Sequence, residues 1–207
     1  MYTPPAFRED DPAALAAMMR ETRLPSLVTA TAEGLMATPL PLILAEDEGP
    51  HGTLYGHLAK ANPQWKTPVL GQAMVIFQGP EAYVSPNWYA AKAAHHKVVP
   101  TWNYVTVHAY GTVEFFEDAD RLLDIVTRLT TRYEAGQAVP WKVSDAPPEF
   151  IRAHMRGIVG LRLEITRIDG KKKLSQNRDQ ADREGVAAGL AASVEPADRA
   201  LGGLIPV

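Results

Sequence analysis

From Tyr104 to Phe116 the chain keeps a two-residue period that few architectures accommodate. Val105, Val107, Ala109, Val113 and Phe115 fall on one face, and Tyr104, Thr106, His108, Tyr110 and Glu114 on the other. Side chains of a strand alternate between faces, so the pattern predicts a half-buried antiparallel strand. Leu161, Leu163 and Ile165 alternate with Arg162, Glu164 and Thr166 in the same way, predicting a last strand that turns at Asp169-Gly170 into KKKLSQNR.

Further strands are expected around these two. Residues 25–45 predict a strand, a turn at Glu33-Gly34 and a second strand holding Pro39 and Pro41. Proline donates no hydrogen bond to a ladder, so this second strand belongs at an edge or a bulge. TLYGHL and AMVIFQG supply two more, which brings the expectation to about six strands. Helices are expected after Asp10-Asp11-Pro12, after Asp118 (with Leu122, Val126, Leu129 and Tyr133 inward and a stop at Gly136), over PPEFIRAHMR, and peripherally from 179 to about 192. The fold class is therefore α+β, mainly β: a mostly antiparallel sheet or small barrel with flanking helices, in one domain over residues 1–207. Neither GxGxxG nor GxxxxGK[ST] occurs, and there is no regular strand-helix alternation, so a doubly wound parallel sheet is disfavoured.

The chain contains no cysteine, which excludes disulfides, thiolate catalysis and cysteine-based metal sites. With 207 residues it buries a core without such staples. Lys and Arg number 21 against 24 Asp and Glu, so there is no overall attraction to phosphate backbones or anionic lipid. No apolar run approaches the roughly 20 residues of a membrane span, and the acidic start is unlike a signal peptide. The expected compartment is the cytoplasm.

Four clusters mix amide, hydroxyl or cationic side chains with aromatic or turn residues: GHLAKANPQW (56–65), GPEAYVSPNWY (79–89), VPTWNYVTVH (99–108) and KKKLSQNR (171–178). Together they suit a ligand that is flat and anionic, with rings as walls, amides on its edges and a lysine near its phosphate. Each taken alone also reads as a strand end whose indole meets a carbonyl, or as a solvated turn. Adjacent His95 and His96 have no ligand spacing, so no metal site is expected. No GxSxG elbow and no recognisable carboxylate pair occur, and no residue is assigned a catalytic role.

MYTPPAF, GLMATPLPLIL, GHLAKANPQW, FQGPEAYVSPNWY, VPTWNYVTVHAYG, WKVSDAPPEFI, IVGLRLEI and KKKLSQNR occur in an order that resembles the FMN-binding negative transcriptional regulators, the PaiB-like family. That resemblance implies an FMN-binding split barrel of six antiparallel strands, forming a homodimer with flavin sites at the subunit interface. It places the phosphate near His57, Lys60 and Asn62, with Trp65 in the same turn. Ring, ribityl or facing-subunit contacts would come from Ser85, Trp88, Tyr89, Thr101, Trp102, Asn103, Lys173, Ser175, Gln176, Asn177 and Arg178. The implied cofactor is FMN, and an apo form is compatible with every residue named. Transcriptional repression is the function implied, although no helix-turn-helix with an obvious recognition helix supports direct DNA binding. The alternatives are a flavin-dependent oxidoreductase using NAD(P)H and, last, a haem protein with His57 or His108 on the iron.

Overall fold

The computed structural model describes all residues, Met1–Val207. In chain order they form β1 (Arg8–Glu9), α1 (Pro12–Glu21), β2 (Ser26–Thr31), β3 (Gly34–Pro39), β4 (Leu42–Ala45), β5 (Thr53–Ala59), β6 (Ala73–Val84), α2 (Ala90–His95), β7 (Thr101–Phe116), α3 (Ala119–Glu134), α4 (Pro148–Met155), β8 (Ile158–Lys173), α5 (Gln180–Ala191) and α6 (Pro196–Gly202). The strands make one eight-stranded sheet in the order β3-β2-β6-β7-β8-β5-β4, with β1 paired to β8. The pairs β1–β8, β2–β3, β2–β6, β4–β5 and β5–β8 all run antiparallel. This is the expected class, a mainly antiparallel sheet with flanking helices. No helix is long and apolar enough to cross a membrane.

Two expectations about the sheet are corrected. There are eight strands rather than six, because Arg8–Glu9 add a short one and Pro39 to Pro41 cut the second expected strand into β3 and β4. The sheet is also not closed into a barrel: β3 and β4 stand at the two ends of the strand order. The prolines account for the break between β3 and β4, since a backbone without N–H donors cannot carry on a ladder.

By internal packing the chain divides into two units, one of Met1–Met18, Gln78–Val107 and Asp169–Val207, the other of Met19–Phe77 and His108–Ile168. The first unit has a core of Ala82, Val84, Tyr89, Val105, Leu174, Val186, Leu190, Leu201 and Ile205. The C-terminal helical region is thus not peripheral: α5 contributes fully buried Val186 and Leu190, and α6, unforeseen from sequence, contributes Leu201. Nor does the chain turn at Asp169-Gly170. β8 runs straight through, because the bare Gly170 lets the Leu15 side chain and the Glu9 carbonyl come within 2.2 and 2.6 Å of where a Cβ would sit. Lys171 to Lys173 are therefore strand residues.

In the second unit Phe116, Leu122, Ile125 and Leu129 form a core patched by Ile43, Tyr55, Tyr133, Met155 and Ile158. The Asp118 carboxylate caps α3 by accepting the Arg121 N–H at 2.9 Å, as its position predicts. Ile125 takes the inward place expected of Val126. The alternation of β7 also shifts after Gly111, where a Cβ would meet the Glu164 carbonyl at 2.0 Å. Beyond that close crossing Phe116, under the apolar face of α3, is buried in place of Phe115.

Candidate functional site

The turn after β5 is built by its own polar side chains. Asn62 accepts the Gln64 N–H at 2.9 Å, capping the 3-10 turn Pro63–Trp65, and donates to the Thr38 hydroxyl at 2.8 Å. Gln64 is 1% exposed, and its amide nitrogen donates to the Thr29 hydroxyl at 2.9 Å and the Met36 carbonyl at 3.3 Å. The Thr38 hydroxyl in turn donates to the Gln64 amide oxygen at 2.5 Å. Gln64 was not among the residues expected at the site; its signal in the sequence is its place two residues after a capping Asn. The Trp65 indole N–H donates to the Lys60 carbonyl at 2.9 Å, and the Lys66 ammonium lies 4.9 Å from the indole centroid.

Lys60 itself is half exposed and paired with the Glu117 carboxylate. Both border a depression of about 280 Å³ that Arg152 and Arg156 also line. His57, on β5, differs from its neighbours in the turn. Its Nδ1 is buried with no hydrogen-bond partner, and burial pushes its pKa below the ordinary value.

In the first unit, the start of β7, the end of β8 and the Ser175–Arg178 loop meet. The Asn103 amide donates to the Ser175 hydroxyl at 2.9 Å, and the Lys173 ammonium donates to the Thr101 hydroxyl at 2.6 Å and the Trp102 carbonyl at 2.5 Å. Burial, with the like charge of Lys171 added, pushes the Lys173 pKa down. Ser175 is a buried non-glycine residue at φ 63, a conformation costing on the order of 1–3 kcal/mol that surrounding contacts must hold. The Arg178 guanidinium lies 4.6 Å from the Tyr89 ring centroid, and burial raises the Tyr89 pKa.

The remaining expected residues have structural partners or none. The Ser85 hydroxyl accepts the Asn87 N–H at 3.2 Å and caps the Pro86–Trp88 turn. Trp88 packs on α5 at Gly185 and Gly189. The Trp102 indole donates to the Glu81 carboxylate and meets Tyr83 edge-on at 6.1 Å. Gln176 folds back onto the Leu174 N–H and the Lys172 carbonyl, at 2.7 and 2.6 Å, and Asn177 is exposed. His57, Lys60, Asn62 and Trp65 belong to the second unit, and the others to the first.

Three buried side-chain polar atoms make no hydrogen bond of good geometry: His57 Nδ1, Tyr89 Oη and Asn103 Oδ1, although Arg178 and Ser175 lie near Tyr89 Oη and draw its pKa down against burial. All three belong to residues that the sequence had marked for a cofactor. An unpaired buried polar atom costs about 1–3 kcal/mol, so such atoms call for an explanation, and a ligand is one.

The profile of a family described as "Putative FMN-binding domain" matches residues 1–167. The chain belongs to this FMN-binding family. It is 33% identical to the Protease synthase and sporulation protein PAI 2 of Bacillus subtilis, over 88% of this chain and 85% of that one. An uncharacterized protein of Emericella nidulans is 31% identical, over 92% of this chain and 90% of its own. Among solved structures, the FAD and haem binding protein of Mycobacterium smegmatis superposes with a TM-score of 0.60 at 17% identity, covering 88% of this chain and 80% of that one. That likeness establishes the fold, and membership of the FMN-binding family supports FMN as the cofactor. The residues present in each unit are of kinds that suit it: a phenol and an amide oxygen with unmet hydrogen bonds in the first unit, and an imidazole with an unmet nitrogen in the second. Each unit also carries cations of the kind a phosphate takes, Lys60 in the second and Lys173 and Arg178 in the first.

Proposed function

We propose that this chain is an FMN-binding, PaiB-like homodimer that acts in transcriptional repression in the cytoplasm, with residues 1–207 working as one flavin-binding domain. The observation that carries the flavin part is the coincidence of the three unpartnered buried atoms with His57, Tyr89 and Asn103. His57, Lys60 and Asn62 are assigned to the phosphate end, where Lys60 would exchange Glu117 for the phosphate. Asn62 and Trp65 hold the turn that carries Lys60. Tyr89, Thr101, Asn103, Lys173, Ser175 and Arg178 are assigned to ring or ribityl contacts. Ser85, Trp88, Trp102, Gln176 and Asn177 frame or border those segments. Bound FMN would supply reversible electron and hydride acceptance, which no side chain offers. The repressor part draws on the resemblance to the PaiB-like regulators and on the similarity to the sporulation protein of Bacillus subtilis.

A second reading, a flavin-dependent oxidoreductase reduced by NAD(P)H, is favoured by His57. Its burial keeps the imidazole neutral near pH 7, able to donate from one nitrogen and accept at the other.

The test is a visible spectrum of the purified protein before and after FMN addition and desalting, with subunit mass recorded on the same sample. One FMN per subunit on a dimer supports the reading, and no measurable FMN affinity refutes it. Lys60→Ala should weaken FMN by about 1.5–3 kcal/mol, and an unchanged affinity removes Lys60 from the phosphate. Salt-sensitive, sequence-specific duplex binding supports the repressor, whereas flavin bleaching by NAD(P)H supports the oxidoreductase.

A further inference from the structure

A groove of about 680 Å³ opens in the second unit between α3, the segment 140–146 and α4. None of the residues assigned to FMN lines it. Its apolar wall is Leu123, Trp141, Val143, Ile151 and Met155. Leu123 and Trp141 are 39% and 45% exposed, although α3 has a complete inward face in Leu122, Ile125 and Leu129. Leu123, Thr127 and Thr131 recur every four residues on another face of the helix, so α3 carries a second stripe, directed at the groove. The Thr127 hydroxyl is already spent on the Leu123 carbonyl at 2.7 Å.

The polar groups of the groove are asymmetric. The Glu134 carboxylate is occupied by the Trp141 N–H at 3.0 Å. Lys142 and Arg152 also line the groove, and neither belongs to any ion pair of the chain. Asp145 serves the Lys142 backbone N–H at 2.9 Å, not its ammonium. The groove is lined by two cations and one carboxylate, so its net charge is positive, and an apolar wall with that balance favours a ligand that is apolar along its body and anionic at one end. The volume lies within the roughly 300–1,000 Å³ of small-molecule sites.

We propose that this groove binds an amphipathic organic anion, its chain or ring against Leu123, Val143, Ile151 and Met155 and its carboxylate against Lys142 and Arg152. The groove holds none of the residues assigned to the flavin, although Arg152 and Met155 also line the depression beside Lys60, so its test uses no flavin signal. Decanoate, with decanol as neutral control, is titrated calorimetrically into the full chain. Expected are saturable binding of one decanoate per chain, a loss of about tenfold or more in Lys142→Glu, and loss of binding in Thr127→Trp, which fills the groove from an exposed position. Lys142→Glu is chosen because Arg152 also borders the depression beside Lys60. Equal affinity for decanol, an unaffected Lys142→Glu variant or no decanoate binding at millimolar concentration overturns the proposal. So does a Leu123→Arg variant whose particle mass in solution halves from dimer to monomer, since the groove would then be covered by a second copy of the chain.

Discussion

Trp88 stands on Gly189 of α5: a Cβ at that glycine would lie 2.3 Å from the indole Cδ2. One turn earlier, a Cβ at Gly185 would lie 2.0 Å from the Trp88 carbonyl oxygen. The two glycines, four residues apart on one helix face, form a flat seat for the Pro86–Trp88 turn. Gly189→Ala should therefore destabilise the protein by about 1–3 kcal/mol, against the usual gain from Gly to Ala within a helix. Urea midpoints of the variant and the parent check this, and a more stable variant would show that Trp88 yields freely.

Gln64 holds a turn that has little apolar burial of its own. Replacing it by Leu removes the donor to Thr29 Oγ1 and Met36 O and the acceptor for Thr38, inside a buried site. The expected cost is about 2–3 kcal/mol, the scale of buried polar groups left without partners. Chemical denaturation measures it, and a cost below about 0.5 kcal/mol would show that the network contributes nothing net.

Tyr89→Phe separates a structural from a ligand role for an unpartnered hydroxyl. Without ligand, deleting Oη removes a desolvated polar atom, so the apo protein should be as stable as the parent or more so. With FMN, one hydrogen bond is lost, about 0.5–1.5 kcal/mol or about 2- to 13-fold in Kd. Fluorescence titration of FMN against both proteins provides the comparison. Identical affinities would release Tyr89 from the flavin site.

His57 makes stability depend on pH in a defined window. Its folded pKa lies below the ordinary value of about 6.5, and the cause is burial. Between the two values the unfolded chain holds more of this proton than the native one, so stability rises with pH there and levels off above about 6.5. This window lies above that of Glu9 and Glu114, whose carboxyl pKa values are also lowered but from a lower starting point. His57→Gln should flatten the rise just below about pH 6.5 in the apo protein. A slope identical to the parent's would mean that the ring is solvated.

Local chemistry wrote much of the fold into the sequence. Two-residue alternation marks β7 and most of β8, Asp118 marks the start of α3, and Pro39 and Pro41 mark strands able to accept only one neighbour. Each of these signals acts within a few residues of itself, which is why a single sequence displays it. The resemblance to the FMN-binding family likewise needed only the order of short motifs.

Tertiary structure decided the rest, because it depends on what comes close from far along the chain. Gly170 and Gly79 resemble turn residues, yet both lie inside continuous strands where bare backbone admits Leu15 and Val105. Gln64 became a buried anchor only when β2 and β3 surrounded it. Among the polar side chains singled out beforehand, most proved to have partners supplied by the fold, as Asn62 does from Thr38. Whether a given hydrogen-bonding atom is met or left over is settled only once every neighbour is in place, and in this chain His57, Tyr89 and Asn103 are where it is left over.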